Sequence, residues 1–179
     1  MSFSSPDIRT YKVNIDGMLD AVTKFSADSH EGIYIRSLLN ITVYTLACRF
    51  LEGSVKHIIY NCGIMKKLTP ELLEELRSEL KKFNNPEFKK IISLFDTLLG
   101  YDILVGKGNG TYEERDITLL NELVNNRHKN VHSSEDSRMW YNANVKGLDD
   151  FKKEYESLLK ILLFLDSIKW DNALQKFIP

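Results

Sequence analysis

The segment 33-IYIRSLLNITVYTLACRFLEGSVKHIIYN-61 decides the fold class of this chain. Its apolar residues recur every three or four positions, which is the period of an α-helix, and they cover more than one side of that helix. Such a helix needs other elements around it, so we expect it at the centre of the core. The residues expected to face inward are Leu38, Leu39, Thr42, Val43, Leu46, Ala47, Phe50, Leu51, Ser54, Val55, Ile58 and Ile59.

Helical spacing continues outward from this segment in both directions, while strand-like alternation is scarce. Further helices are predicted from Ser5-Pro6-Asp7 to about residue 25 and over 70–83, 86–99, 113–131 and 148–170. Thr69-Pro70 and Asn85-Pro86 each combine a capping side chain with a proline that suits the first helical position, and Gly100 suits a helix end. The chain is therefore predicted to be all-α, a single-domain helical bundle of about five to six helices that spans residues 1–179.

The glycine-rich stretch 106-GKGNG-110 lies between two predicted helices. Glycines let backbone N–H groups approach an anion, so a phosphate cradle is one interpretation. The stretch lacks the Lys-Ser/Thr pair of a P-loop and the strand that precedes one. A flexible loop between helices is therefore the favoured interpretation.

Charge and cysteine content restrict the functional classes. The chain has 24 basic and 25 acidic residues and a formal net charge of -1, so any contact with nucleic acid must use a local basic patch. Cys48 and Cys62 are separated by about 21 Å along one predicted helix and are expected to be reduced, buried thiols. Neither a signal peptide nor a membrane-spanning run is recognisable, which predicts a cytoplasmic protein without membrane contact.

The segment 121-NELVNNRHKNVHSSED-136 places ionisable residues at the end of a predicted helix. At 100° per residue, one helical stripe consists of Ile117, Leu120, Val124, Arg127 and Val131. Arg127 thus falls in the middle of an apolar face, where a guanidinium needs a partner. His128 and His132 are four residues apart and flank this stripe, whereas Arg127 and His132 point about 140° apart on an ideal helix.

Three interpretations of this cluster stay open from spacing alone. In the first, Arg127 is a partly buried structural residue that caps carbonyl groups beside two polar histidines. In the second, His128 and His132 share a metal ion, although no acid or cysteine at suitable spacing completes the site. In the third, an imidazole takes the proton of a ribose 2'-OH while the guanidinium holds the phosphate oxygens.

A polar strip also interrupts the central helix. Glu52 and Lys56 are four residues apart, and Arg49 lies on the same face. The strip is either a surface ion pair, worth about a few tenths of a kcal/mol, or a set of side chains that faces a site.

The order of Arg127, the polar His128, three further residues and His132 resembles the Arg-(four to six residues)-His motif of HEPN domains, which are small and all-α. The stretch 119-LLNELVNNRHKNVHSS-134 resembles the end of the fourth core helix of these domains. The stretch 46-LACRFLEGSVKHII-59 resembles the long apolar helix bearing Glu-x-x-x-Lys in the RiboL-PSP-like and related branches. The likeness extends over roughly residues 5 to 168.

The resemblance implies a metal-independent endoribonuclease that needs no cofactor and acts as a homodimer, with the two motifs meeting across the interface. It implies that Arg127 and His132 are the catalytic residues. The residues expected to orient the RNA strand or the catalytic pair are Asn126, His128, Lys129 and Asn130. Glu52 is expected to hold Arg127 in place, with Lys56 beside it.

Toxins of toxin–antitoxin pairs and anti-phage effectors are common among such domains, so an antitoxin or a defence-system protein is an expected partner. Asn is the more familiar residue after the arginine, and His128 departs from that pattern. The alternative function is a catalytically inactive HEPN module that binds a protein partner or a nucleotide.

Overall fold

The computed structural model describes residues 2–24, 28–131 and 146–179, except the side chains of residues 34, 37 and 129–131. Within these ranges the protein is all-α, as predicted, with seven helices and one short two-stranded hairpin. The helices are α1 (Pro6–Lys24), α2 (His30–Met65), α3 (Pro70–Lys82), α4 (Phe88–Leu99), α5 (Val105–Gly108), α6 (Glu114–Val131) and α7 (Leu148–Ser167). The strands are β1 (Lys169–Asp171) and β2 (Lys176–Ile178), which pair in antiparallel fashion.

Helix α2 occupies the centre of the bundle, as its apolar pattern predicted. It packs against α1, α3, α4, α6 and α7. Of the residues expected to face inward, those from Val43 onward are buried except Leu46, which is half-buried. Leu38 is 47% exposed, because no element of the described chain covers that side of the helix near its N-terminal end. The central part of the helix is thus the core, and its first turns are not.

Helix α4 begins at Phe88, two residues later than predicted from Asn85-Pro86. Asn85 adopts a left-handed backbone conformation with φ of 48°, which removes it from the capping position. The backbone N–H of Phe88 instead donates to the side-chain oxygen of Asn121 on α6, at 2.9 Å. A side chain from a distant helix therefore satisfies the first turn of α4. Gly100 ends the helix with φ of 65°, as predicted.

The glycine-rich stretch is not the flexible loop that was predicted. It contains α5, and the adjoining Tyr112 is fully buried with its hydroxyl donating to the carbonyl of Ile103 at 2.6 Å. A side chain at Gly106 would place its Cβ 2.8 Å from Cζ of Phe164 and still nearer the ring of Tyr112. Gly106 is therefore required because two aromatic rings press against its backbone.

Helix α7 ends at Ser167, three residues earlier than the predicted end, because the chain turns into the β1–β2 hairpin. Trp170 and Phe177 are paired across the hairpin with ring centroids 4.9 Å apart. Phe177 also packs on Tyr101, at 6.3 Å between centroids. Strands of three residues are too short to produce a visible alternation in sequence, so the hairpin was missed.

The buried apolar side chains of all the long helices join a single cluster. Cys48 and Cys62 are both buried free thiols, as predicted. In the described part of the chain, no helix has an apolar run that would reach across a bilayer.

Candidate functional site

Helix α6 carries Arg127 to the edge of the core, above Leu120 and Val124, which are buried. The guanidinium is half-buried, and its Nη1 donates to Oδ1 of Asn85 at 3.1 Å. The Nε–H of Arg127 is buried and has no hydrogen-bond partner among the described residues. Nor does any carboxylate within those residues form an ion pair with this arginine.

This environment is unusual for an arginine with a purely structural role. A buried N–H without an acceptor costs about 1–3 kcal/mol, and partly buried cations normally pair with carboxylates. The hydrogen bond to Asn85 leads to a side-chain amide rather than to a backbone carbonyl. Within the described residues, Arg127 therefore keeps donor capacity and a positive charge that no carboxylate balances, which are the properties of an anion-binding group.

Asn85 was not recognised as a site residue from the sequence. It lies 42 residues before Arg127 and belongs to the connection between α3 and α4. Asparagine tolerates the left-handed conformation better than most residues. The Asn-Pro pair carried only a local signal, which predicted a helix cap, so the contact with Arg127 could be found only in the folded chain.

Cys48 lies beneath Arg127 on the central helix. Its thiol approaches the carbonyl of Leu123 at 3.9 Å. Burial raises the pKa of Cys48 to about 12, and the positive charge of Arg127 opposes that rise. The thiol is therefore neutral at pH 7 and does not supply a nucleophile.

The polar strip on α2 is both an ion pair and the wall of a cleft. Nζ of Lys56 donates to Oε1 of Glu52 at 2.6 Å. Together with Arg49, the pair lines a cleft of about 440 Å³ between α1 and α2, which we call the α1–α2 cleft. Glu52 was expected to hold Arg127 in place, but the contact described for it is the one with Lys56.

His57 lies in the same cleft and was not predicted to have a role. Its Nε2 is 2.8 Å from Oγ of Ser5, the residue that precedes α1. Ser5 also accepts, at 3.5 Å, from the backbone N–H of Ile8. The two residues are 52 positions apart in the chain, so no local pattern could have indicated the contact, which fastens the start of α1 to the wall of the cleft.

Asn126 points into the core rather than toward a bound strand. Asn126, Tyr44 and Glu154 are 4%, 0% and 1% exposed, and each keeps a buried polar atom without a hydrogen-bond partner among the described residues. Burial raises the pKa of Tyr44, and the charge of Glu154 raises it further. A direct contact between Asn126 and RNA is therefore not what this geometry supports, and the residue belongs instead to a buried polar cluster beside Arg127.

Lys146 fastens the chain where the described structure resumes after residue 145. Its Nζ donates to Glu154 and, at 2.6 Å, to Oε2 of Glu122. Its carbonyl accepts from Nδ2 of Asn40 at 2.7 Å. One residue thus connects α2, α6 and α7. Burial raises the pKa of Glu154, although the hydrogen bond and the charge of Lys146 oppose that effect.

The remaining predicted residues are only partly described. His128 is exposed on α6. Lys129 and Asn130 belong to the same helix, but their side chains lie outside the described residues, and so does the whole of His132. The pairing of Arg127 with His132 and the metal site with His128 therefore stay predictions. Across residues 2–24, 28–131 and 146–179, no three His, Cys, Asp or Glu side chains are grouped to hold a metal ion.

No match was found when the chain was compared with protein-family models, with curated proteins and with solved structures. The HEPN resemblance therefore rests on the two sequence motifs. The chemistry of the site rests on Arg127, a half-buried cation with one neutral partner among the described residues.

Proposed function

We propose that this protein is a metal-independent endoribonuclease of the HEPN type that acts as a homodimer. The observation that carries the proposal is Arg127, a half-buried guanidinium with no carboxylate partner among the described residues. A cation at the end of a helix with no carboxylate partner in the described part of the chain fits a group that binds phosphate, because a planar guanidinium can donate two parallel hydrogen bonds to a phosphate.

The proposed reaction is attack by a ribose 2'-oxygen on the adjacent phosphorus. A base takes the proton of the 2'-OH, the bond from phosphorus to the 5'-oxygen breaks, and that oxygen takes a proton. His132 serves as the base, or as the acid toward the leaving oxygen in the other protomer. Arg127 stabilises the charge that builds on the phosphate oxygens. The products are a 2',3'-cyclic phosphate and a 5'-OH.

The test is incubation of total RNA and of single-stranded DNA with the purified protein, with and without a chelator. RNA should be cut, DNA should not, and the chelator should have no effect. His132→Ala should slow cleavage by about 10² to 10⁴. Arg127→Lys should also fail, because an ammonium cannot reproduce the two-pronged contact.

His128→Ala distinguishes the proposal from the metal hypothesis. In the proposed mechanism this change weakens cleavage only in part, whereas a metal shared by His128 and His132 would make both changes equally damaging and cleavage sensitive to the chelator. A well-folded protein that cuts no RNA would favour the inactive module that binds a protein partner, such as an antitoxin, or a nucleotide.

The homodimer is a separate part of the proposal. Arg127 and His132 point about 140° apart on an ideal helix, so a site composed from two copies is easier to form than one within a single chain, and two-fold symmetry is the commonest closed arrangement. Light scattering over micromolar concentrations should give the mass of two chains. A strictly monomeric particle with intact ribonuclease activity would refute this part.

A further inference from the structure

A second groove lies between α2 and α3, and its charge is one-sided. It has a volume of about 340 Å³, and the residues that line it are Lys56, His57, Tyr60, Arg77, Leu80 and Lys81. Three of these carry a positive charge and none is acidic. Leu80 is buried and forms an apolar floor, while Arg77 and Lys81 are exposed at the rim. We call it the α2–α3 groove.

We propose that the α2–α3 groove binds single-stranded RNA, with the phosphates on Lys56, Arg77 and Lys81 and a base on the ring of Tyr60. Cationic side chains that follow a backbone beside an accessible aromatic ring are the recurring design of sites for single strands. Tyr60 is half-buried, and part of its side chain lines the groove. A duplex keeps its bases stacked on each other, so it cannot use the ring. The choice of RNA rests on the proposed function, whereas the affinity for a single strand rests on the groove itself.

The surrounding charges support the assignment. The whole chain has a formal net charge of -1, so binding of a polyanion requires a local concentration of cations. In the neighbouring groove between α3 and α4, Lys82 is paired at 2.6 Å with Glu79, which itself lines that groove. In the α2–α3 groove, Lys56 pairs with Glu52 at 2.6 Å and Arg77 with Glu74 at 3.4 Å, but both carboxylates lie outside the lining. The two grooves lie on opposite sides of one helix, and only the α2–α3 groove has a lining without carboxylates.

The groove adjoins the α1–α2 cleft and is close in the chain to the residue that binds Arg127. Lys56 and His57 also line the α1–α2 cleft, so the two depressions adjoin the same stretch of α2. Lys81 lies in the last turn of α3, four residues before Asn85, which holds Arg127. One residue of the groove is therefore close in the chain to the residue that binds Arg127, which suits the groove to supply RNA to that arginine.

The experiment measures binding without cleavage. Full-length protein carrying His132→Ala is titrated into a fluorescein-labelled 12-nucleotide oligouridine, and anisotropy is recorded at several salt concentrations. With about three phosphates neutralised, the logarithm of the affinity should fall with the logarithm of salt concentration with a slope near about -2. Lys81→Ala should weaken binding several-fold and reduce the slope to about -1.4.

A matched control comes from the next residue of α3. Lys81→Glu should weaken binding by about tenfold or more, because it removes one contact and adds repulsion. Lys82→Glu makes the same change in net charge on the other side of the helix and should have little effect. Tyr60→Leu should weaken binding by about tenfold, because stacking is lost, while Tyr60→Phe should restore it.

The outcomes separate this inference from the proposed ribonuclease activity. Equal losses of affinity for Lys81→Glu and Lys82→Glu, or no loss of affinity for Tyr60→Leu, would refute the proposal that the groove binds RNA. If the protein cuts RNA but its groove variants bind RNA normally, the ribonuclease proposal is supported and the groove is refuted as a binding site. If the groove variants lose binding but the protein cuts no RNA, the groove is supported as a binding site and the ribonuclease proposal is refuted. A matching deoxyuridine strand that binds equally well would show that the groove reads phosphates and bases but not the ribose 2'-OH.

Discussion

The ion pair between Lys146 and Glu154 offers a stability test that follows directly from the structure. Glu154 is 1% exposed, one of its oxygens accepts from Lys146, and the other has no hydrogen-bond partner among the described residues. Lys146→Met keeps most of the aliphatic side chain and removes the charge. Glu154 is then left in the core without its cation, and a loss of this kind costs about 3–5 kcal/mol.

Protonation of Glu154 limits that cost and makes it depend on pH. Burial raises the pKa of Glu154 above its ordinary value of 4.5, and removal of the opposing Lys146 raises it further. Protonating a carboxylate costs about 1.4 kcal/mol for each pH unit above its pKa. For an ordinary pKa of 4.5, that cost is about 3.4 kcal/mol at pH 7 and about 0.7 kcal/mol at pH 5. Because the folded variant binds this proton more tightly than the unfolded chain does, its stability falls as pH rises through the folded pKa.

Lys146→Met should therefore lower the free energy of unfolding by about 3 kcal/mol at pH 7 and by about 1 kcal/mol at pH 5. Urea denaturation followed by circular dichroism at both pH values measures the two differences. Combining Lys146→Met with Glu154→Leu should recover most of the stability, because a buried pair can be replaced by apolar groups. Lys152→Met, at an exposed pair with 3.9 Å between its charged atoms, should change stability by less than about 0.5 kcal/mol. A loss below about 1 kcal/mol at pH 7, or one that is the same at pH 5, would refute the reasoning.

Three further changes test other parts of the structure. Burial alone would raise the pKa of Asp116, but hydrogen bonds from Lys160, a backbone N–H and a serine lower it. The ionised Asp116 therefore stabilises the fold above the ordinary pKa of an aspartate, and this stabilisation is lost as pH falls through the folded pKa. Asp116→Asn should lower the free energy of unfolding by about 1.5–3 kcal/mol in urea denaturation at pH 7 and by less at pH 3. Gly106→Ala should lower stability by about 1–3 kcal/mol through overpacking, whereas Gly108→Ala, with nothing within 4 Å of the added Cβ, should not, and equal melting temperatures for the two would contradict the close approach. Asn85→Gly keeps the left-handed conformation and removes the amide that binds the candidate arginine, so RNA cleavage should fall with little change in melting temperature, and unchanged cleavage would show that the amide does not position the arginine.

The helical scaffold was largely predictable because its signals are local. The period of apolar residues in α2 and the combination of Thr69 with Pro70 depend on neighbours within a few positions, and both predictions hold in the structure. Errors arose where a distant contact outweighed a local preference. Asn85 was predicted to cap α4 but accepts a hydrogen bond from Arg127 instead, and α5 occupies a stretch whose glycines had predicted a flexible loop.

The candidate site also has a part that the sequence predicted and a part that only the structure revealed. The spacing of α6 was sufficient to single out Arg127 as a cation on an apolar face, although it did not reveal that Asn126 is the more buried of the two. The partner of Arg127 and the basic lining of the α2–α3 groove had no signal in any single segment. Each combines side chains from different helices, and residue spacing within one helix says nothing about which face of another helix it meets.

The sequence by itself determined that this protein is all-α, that α2 is its central helix and that the end of α6 carries an arginine at the margin of the core. These properties follow from helical periodicity, which every residue shares with neighbours three and four positions away. Only the tertiary structure decided that Arg127 meets Asn85, that Lys146 joins three helices and that Lys56 lines a groove with Arg77 and Lys81. The physical reason is that, apart from Lys146 and Glu154 at eight positions, these residues are 21 or more positions apart in the chain, and only the packing of the side chains into one core brings such residues together.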